Sequence, residues 1–438
     1  MLSDPIAALA TPPGRSAVAV VRLSGEGALE IAAKVVSLFQ PDPPRTARLA
    51  EFHGVDGTPI DQGLYTVFPA PASYTGQDLI EFSCHGGLVA PARLLSALHA
   101  AGARPAHPGE FTRRAVMNGK LDLVQAEAVG DLIDATAPSQ ARLALHQLEG
   151  GLSRRIGALR EALLDLQALL SYDLDFPEED DGPVAPALIE GRLAGVVAQI
   201  DRLLESAPAA IRVREGALVV LAGAPNAGKS SLFNALLGTE RALVTEIPGT
   251  TRDAIEAHAD FFGWPVRLID TAGVGETSDR IDRMGQAVSR KYIDAADLVI
   301  HCADRDPGEE PPGGAASRLL TVRTKSDLAP GDGSGIRVSA VTGEGLETLR
   351  KAVAERIFGN RISLGDLEPA LTRERHRVAL ARAQCALAEA RPHLGGHGDA
   401  VLASHHVRDA TLALDELIGT VDIEQVLDRL FAGFCVGK

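Results

Sequence analysis

What the chain is short of narrows its class first. Its four cysteines, Cys84, Cys302, Cys385 and Cys435, are scattered without a Cys-x-x-Cys pair, so neither a disulfide framework nor a zinc site is suggested and a reducing compartment fits. No apolar run reaches membrane-spanning length and no secretory leader is recognisable, so a soluble, cytoplasmic protein without a membrane partner is expected. Aromatic residues make up only 4%, with a single tryptophan, while alanine and leucine abound, so much of the chain is expected to be helical. Positive charge is also in deficit. A net charge of −15 argues against broad nucleic-acid binding driven by counterion release, although it leaves room for a local basic patch. With 438 residues, 45% of them apolar, the chain has material for two to four domains with cores of their own.

The pattern changes twice along the chain. Residues 17–23, 64–68 and 79–84 read as strands, and 28–37 and 91–101 as helices, which makes a small mixed α+β unit ending near Asn118. Leu152, Ile156, Leu159, Leu163, Leu166 and Leu170 then form an apolar seam along one helix. Ile189, Leu193, Val196, Ile200 and Leu203 repeat it after an acidic break, so two antiparallel helices are predicted. From about Arg214 strands alternate with helices, as in a parallel α/β sheet, up to an amphipathic segment at 346–357. Helical periodicity returns at 376–390, 400–417 and 424–431, and the last helices are expected to pack back on the first.

Within the α/β part, the apolar run Leu218–Leu221 leads into Gly223-Ala224-Pro225-Asn226-Ala227-Gly228-Lys229-Ser230-Ser231, followed by a helix over 232–237. Glycines there let successive backbone N–H groups turn around phosphate oxygens, the helix N-terminus adds partial positive charge, Lys229 reaches the outer phosphates and Ser230 can ligate Mg²⁺. A nucleoside triphosphate site follows. Downstream residues choose the base and the chemistry. Asp270-Thr271-Ala272-Gly273 ends the strand 266–269 and places a carboxylate for Mg²⁺ and an N–H for the γ-phosphate. Thr324-Lys325-Ser326-Asp327 ends the strand 319–323, where Asp327 can accept from the N1–H and amino group of guanine, and adenine would leave it facing a lone pair. Ser339-Ala340-Val341, after 336–338, is placed to meet the guanine carbonyl.

Between these, Thr245-Glu246-Ile247-Pro248-Gly249-Thr250-Thr251 reads as a switch loop, with Thr251 supplying the second Mg²⁺ hydroxyl. Val274 follows Gly273 where a water-orienting glutamine sits in many Ras-type GTPases, and an apolar residue cannot orient water. Asn226, beside the phosphates, offers an amide oxygen to a monovalent cation that would stand in for an arginine finger.

With these residues in hand, the chain resembles the tRNA modification GTPase MnmE (TrmE) family over almost its whole length. The motifs that carry the resemblance are Ala10-Thr11-Pro12-Pro13-Gly14-Arg15, Tyr74-Thr75-Gly76-Gln77-Asp78, His85-Gly86-Gly87, Pro108-Gly109-Glu110-Phe111-Thr112, Lys120 to Ala128, the GTPase set and the terminal Phe434-Cys435-Val436-Gly437-Lys438. The resemblance implies a multidomain α+β fold. An N-terminal tetrahydrofolate-binding and dimerisation domain (1–118) is followed by a helical domain in two parts (119–210 and 363–438), and a Ras-like P-loop G domain (211–362) is inserted between them. It implies a homodimer and a heterotetramer with the FAD-dependent protein MnmG. Together they would install an aminomethyl-type or carboxymethylaminomethyl group at carbon 5 of the wobble uridine of certain tRNAs, with 5-formyl- or methylene-tetrahydrofolate supplying one carbon. By the same match Arg22, Glu81, Lys120 and Lys438 contact the folate. Asn226, Thr245, Ile247 and Thr250 hold K⁺, Ser230 and Thr251 hold Mg²⁺, Asp282 takes the place of a water-orienting glutamate, and the tail delivers the Cys435 thiol toward the folate site.

The resemblance has departures. Asp282 is one methylene shorter than the family's glutamate, Thr324 replaces an asparagine whose amide ties the guanine loop to the phosphate loop, and 304–317 is short and rich in glycine and proline. His85 has no companion at metal-ligand spacing and reads as a turn residue. The leading reading is a potassium-activated GTPase that fires when two G domains meet. The alternatives are a ribosome-assembly GTPase acting as an RNA-binding switch, which normally carries a basic module, and a folate-dependent one-carbon transferase regulated by the G domain.

Overall fold

Alternation of apolar and polar residues at period two builds the first sheet. The computed structural model of the chain describes residues 3–175, 185–238, 255–270, 290–303, 318–328, 335–359, 370–394, 399–419, 430–431 and 433–437. It falls into two compact units, Met1–Gly130 with Asp415–Lys438, and Asp131–Leu414.

In the first unit the strands are β1 (Ile6–Leu9), β2 (Gly14–Ser24), β3 (Arg48–His53), β4 (Pro59–Phe68), β5 (Leu79–Gly87) and β6 (Arg104–Pro105), paired in the order β3-β4-β5-β2-β1-β6. Val21, Leu23, Ile80, Phe82 and Cys84 point to one face and make a buried core with Leu94, Ala97 and Leu98 of α2 (Ala90–Ala101) and with α1 (Ala28–Ala33). Arg22 and Glu81, between those apolar residues, must point to the other face. The helix expected over 28–37 is shorter, because Val36 leaves it to bridge Phe52 of the edge strand β3. α3 (Glu110–Met117) and α4 (Leu123–Asp134) follow. Here Leu123, Ala126 and Phe431 share a small core.

The second unit joins helices to a sheet. α5 (Pro138–Leu148), α6 (Gly151–Asp175) and α7 (Pro186–Glu215) come first. Every leucine and isoleucine of the α6 seam is at most 2% exposed and every seam residue of α7 at most 4%, so the expected helix pair is present. Each such side chain contributes about 1.5–3 kcal/mol by leaving water. The α7 seam runs on through Ala207, Ala210 and Val213, so the helix reaches Glu215 and leads straight into the sheet.

The strands β7 (Ala217–Ala222), β8 (Ile255–Phe261), β9 (Trp264–Asp270), β10 (Leu298–Ala303), β11 (Leu319–Arg323) and β12 (Ile336–Arg337) pair in the order β12-β11-β10-β7-β9-β8, parallel except for β8. α8 (Lys229–Leu237) and α9 (Leu346–Phe358) cover it. α10 (Glu374–Ala390) returns along α7, where Gln384 Nε2 donates to Asp201 Oδ1 at 2.5 Å, and α11 (Ala400–Ile418) follows. The β8–β9 turn is anchored as well: Ser139 N–H donates to Gly263 O at 3.1 Å, and the Trp264 and Phe358 rings stack 4.5 Å apart. No described helix is long and apolar enough to cross a membrane.

Candidate active site

β7 lies between β9 and β10, so the loop after it opens at the point where the strand order reverses, the usual ligand crevice of a parallel sheet. Gly223 has φ 145°, and a Cβ there would sit 2.2 Å from Cys302 O, so no side chain fits. Gly228, φ 83°, opens α8. Lys229 is 8% exposed and its ammonium donates to Gly223 O at 3.0 Å and Ala224 O at 2.9 Å, across the mouth of the loop. Asn226, Ser230 at the first turn of α8, and Ser231 are exposed. Asp270 ends β9 in register with Leu221 and is buried. The Cys302 thiol, pushed up to about 12 by burial, with Lys229 pulling the other way and Asp270 adding to the rise, stays protonated and neutral between them.

The base-recognition loops are tied to the phosphate loop. Thr324 Oγ1 donates to Ala227 O at 2.6 Å and lies 3.2 Å from Ala303 O, and Lys325 Nζ donates to Asn226 O at 2.6 Å. The tie expected to be lost with threonine is therefore made by its hydroxyl. Ser326 donates to Glu344 Oε2 at 3.1 Å, and its N–H donates to Val338 O, which leaves Asp327 exposed at the end of the turn. The buried Ser339 Oγ accepts from the N–H groups of Val341 and Thr342 at 3.3 and 3.1 Å, shaping the Ser339-Ala340-Val341 turn beside it. Thr245, Glu246, Ile247, Pro248, Gly249, Thr250, Thr251, Thr271, Ala272, Gly273, Val274 and Asp282 lie outside the described residues, as do the expected helix start at 424–429 and the segment 304–317.

A second cluster occupies the first unit. Arg22 and Glu81 are directly paired across β2 and β5, with Arg22 Nε donating to Glu81 Oε1 at 2.8 Å. The Arg22 guanidinium lies 5.8 Å from the Tyr74 ring centre and donates from Nη1 to Gly437 O at 3.3 Å. The tail is seated there: Gly109 N–H donates to Cys435 O, Val436 bridges Pro108, and a Cβ on Gly437 would meet Leu9 O at 2.3 Å. Cys435 itself is exposed. Lys120 lays its stem against Gly76 and donates to Pro71 O at 3.1 Å. Arg22, Glu81 and the tail are thus brought together, while Lys438 lies outside the described residues. The Glu81 carboxylate is thus held by one guanidinium, which also faces the Tyr74 ring and the Gly437 carbonyl.

Known proteins match the chain along its whole length. The descriptions "MnmE helical domain" and "GTP-binding protein TrmE N-terminus" match residues 123–435 and 5–120. A tRNA modification GTPase MnmE of Thermus thermophilus is 49% identical over 443 residues, covering 100% of this chain and 99% of its own. The chain belongs to the MnmE family of tRNA modification GTPases. The MnmE proteins of Neisseria meningitidis serogroup B and Moorella thermoacetica, 43% and 41% identical, cover 99% and 100% of this chain and 98% and 100% of their own. Among solved structures, the G domain of the T. maritima FeoB iron transporter aligns at 31% identity over 32% of this chain and 96% of its own, with a TM-score of 0.25.

This MnmE-family chain also holds charged groups that sequence reading missed. Glu110, 3% exposed, takes Arg104 on both oxygens at 2.6 and 2.8 Å and Arg114 at 2.9 Å, while Arg114, fully buried, also reaches Asp4 and Gln77. Burial pushes the Glu110 carboxyl up, but Arg104, the His107 N–H and Arg114 outweigh it and bring it down to about 2. Asp131 near the end of α4 accepts from Arg214 Nε at 2.9 Å and Arg373 Nη2 at 2.7 Å. The neighbouring Asp134 is raised by burial and by the Asp131 charge. His85 lies within β5, two residues before its end, and not in a turn, and it is bonded to Asp61.

Proposed function

We propose that the chain is a potassium-activated GTP hydrolase that acts with MnmG in modifying the wobble uridine of certain tRNAs. The observation that best supports this is the joining of the phosphate loop to the guanine loop through Thr324 and Lys325, which couples phosphate binding to the reading of one base. Lys229 gives up the Gly223 and Ala224 carbonyls for phosphate oxygens when nucleotide enters, so the ammonium exchanges one set of oxygen partners for a more negative one. Ser230 and Thr251 would hold Mg²⁺, with Asp270 behind them, and Mg²⁺ supplies charge neutralisation at the transferring phosphate. Asn226, Thr245, Ile247 and Thr250 would hold K⁺, which supplies positive charge where this chain has Val274. Asp282 is assigned to orient the attacking water. Asp327 reads guanine by accepting two hydrogen bonds.

The first unit, in this reading, binds 5-formyl- or methylene-tetrahydrofolate through Arg22, Glu81, Lys120 and Lys438, with Cys435 delivered by the tail. It also mediates homodimerisation in the cytoplasm, and the working division remains 1–118, 119–210, 211–362 and 363–438. Mass spectrometry of wobble uridines from cells lacking the gene tests the tRNA role: loss of the aminomethyl-type nucleosides is expected, and unchanged nucleosides overturn it.

A further inference from the structure

Glu344 joins the two loops that serve the base, Thr324-Lys325-Ser326-Asp327 after β11 and Ser339-Ala340-Val341 after β12. Its main-chain carbonyl accepts the Ser339 N–H at 3.0 Å, and its carboxylate accepts the Ser326 hydroxyl on Oε2 at 3.1 Å. Ser326 is 5% exposed, whereas Glu344, two residues before α9, is exposed and reaches inward from the surface.

The Ser326 bond acts on a turn. Leu328 N–H donates to Lys325 O at 3.0 Å, so Ser326 and Asp327 are the two central residues of a β-turn. Lys325, which opens it, has φ 56°, a left-handed conformation that a non-glycine residue keeps only where its neighbours fix it. Thr324 does so on one side, through Ala227 and Ala303. On the other side stand two bonds of Ser326, its N–H to Val338 O at 3.1 Å and its hydroxyl to Glu344. A turn held there by the N–H bond alone can rock about it, and Asp327, the next residue, rocks with it. Two parallel bonds from one carboxylate to the N1–H and amino group of guanine require a fixed carboxylate plane, whereas a single bond tolerates rotation.

We propose that Glu344 is a positioning residue for base selection: by holding Ser326 it fixes the Asp327 carboxylate for two bonds to guanine instead of one. The proposal rests on the reading of Asp327 as the guanine acceptor, and it gives Glu344 a part in the choice of base without contact to the nucleotide. Hypoxanthine keeps the N1–H and the carbonyl of guanine and lacks the amino group, so a comparison of the two bases isolates the second bond.

Calorimetric titration of the full chain with GDP and with inosine diphosphate, neither of which is hydrolysed, tests it. The wild type is expected to bind GDP at least about tenfold more tightly than inosine diphosphate. Glu344→Ala, at an exposed position, should reduce that preference to about threefold or less, by weakening GDP and leaving inosine diphosphate within about twofold of wild type. Glu344→Gln keeps an acceptor for the Ser326 hydroxyl and should restore the preference. Adding Ser326→Ala to Glu344→Ala should lower it no further, because both changes remove the same bond. Equal weakening of both nucleotides by Glu344→Ala, an unchanged preference, or a Glu344→Gln variant as unselective as Glu344→Ala overturns the assignment while the guanine reading stands. Equal affinity of the wild type for the two nucleotides overturns the Asp327 reading and the assignment with it.

Discussion

Thr324 donates its hydroxyl proton to the Ala227 carbonyl across 2.6 Å, so the residue that begins the guanine loop is bonded directly to the phosphate loop. Thr324→Val keeps the shape and leaves that buried carbonyl without its donor, a cost of about 1–2 kcal/mol. GTP affinity should fall roughly five- to thirtyfold by equilibrium titration. Thr324→Asn, which restores a donor, should fall much less.

Gly223 is the least replaceable residue of the site. Its positive φ and the 2.2 Å approach to Cys302 O mean that Gly223→Ala must displace either the loop or β10. Strain of about 1–3 kcal/mol from the backbone alone is expected, before the clash is counted. GTP binding should be lost while far-ultraviolet circular dichroism stays near wild type.

Glu110 ties stability to pH in the first unit. Its carboxyl lies at about 2 against an ordinary 4.5, so its contribution is complete above about pH 4.5 and is lost as the pH falls toward 2. The shift corresponds to about 3 kcal/mol. Glu110→Gln should cost about 3–5 kcal/mol by leaving Arg104 and the buried Arg114 underpaired. Hydrogen exchange at the α3 amides should show faster opening in the variant at pH 7 and convergence with wild type near pH 2.

Asp131 gathers Arg214, just before β7, and Arg373, just before α10. Asp131→Asn removes the charge that both guanidiniums share. A loss of about 2–3 kcal/mol is expected, with the charge-assisted bonds weakened to neutral ones. It also lifts a like charge from Asp134, whose raised carboxyl should titrate lower, as carbon-detected NMR of the side chain would register.

Period and spacing made much of this legible before any coordinates. The α6 and α7 seams appeared as runs of leucine and isoleucine three and four apart, and each member is buried. The strand, glycine loop and helix around Lys229 announced the phosphate loop in the same way. What did not show in the sequence depends on distance along the chain. Asp61 and His85 are 24 residues apart, Thr324 and Ala227 97, and Arg22 and Gly437 415, and no periodicity links such pairs. α3 was missed because Glu110 and Arg114 look like solvent-facing charges, whereas they are buried against each other and against Arg104 and Asp4. Threonine at 324 looked like a lost amide because the residue type was compared and not the bond its hydroxyl can make.

The most direct test is steady-state hydrolysis by the purified chain, with GTP or ATP, in potassium chloride or in sodium chloride at equal ionic strength. Rapid phosphate release with GTP in potassium, at least roughly tenfold slower in sodium and absent with ATP, is the predicted result. Equal rates in the two salts, or ATP hydrolysed as fast as GTP, would contradict the account.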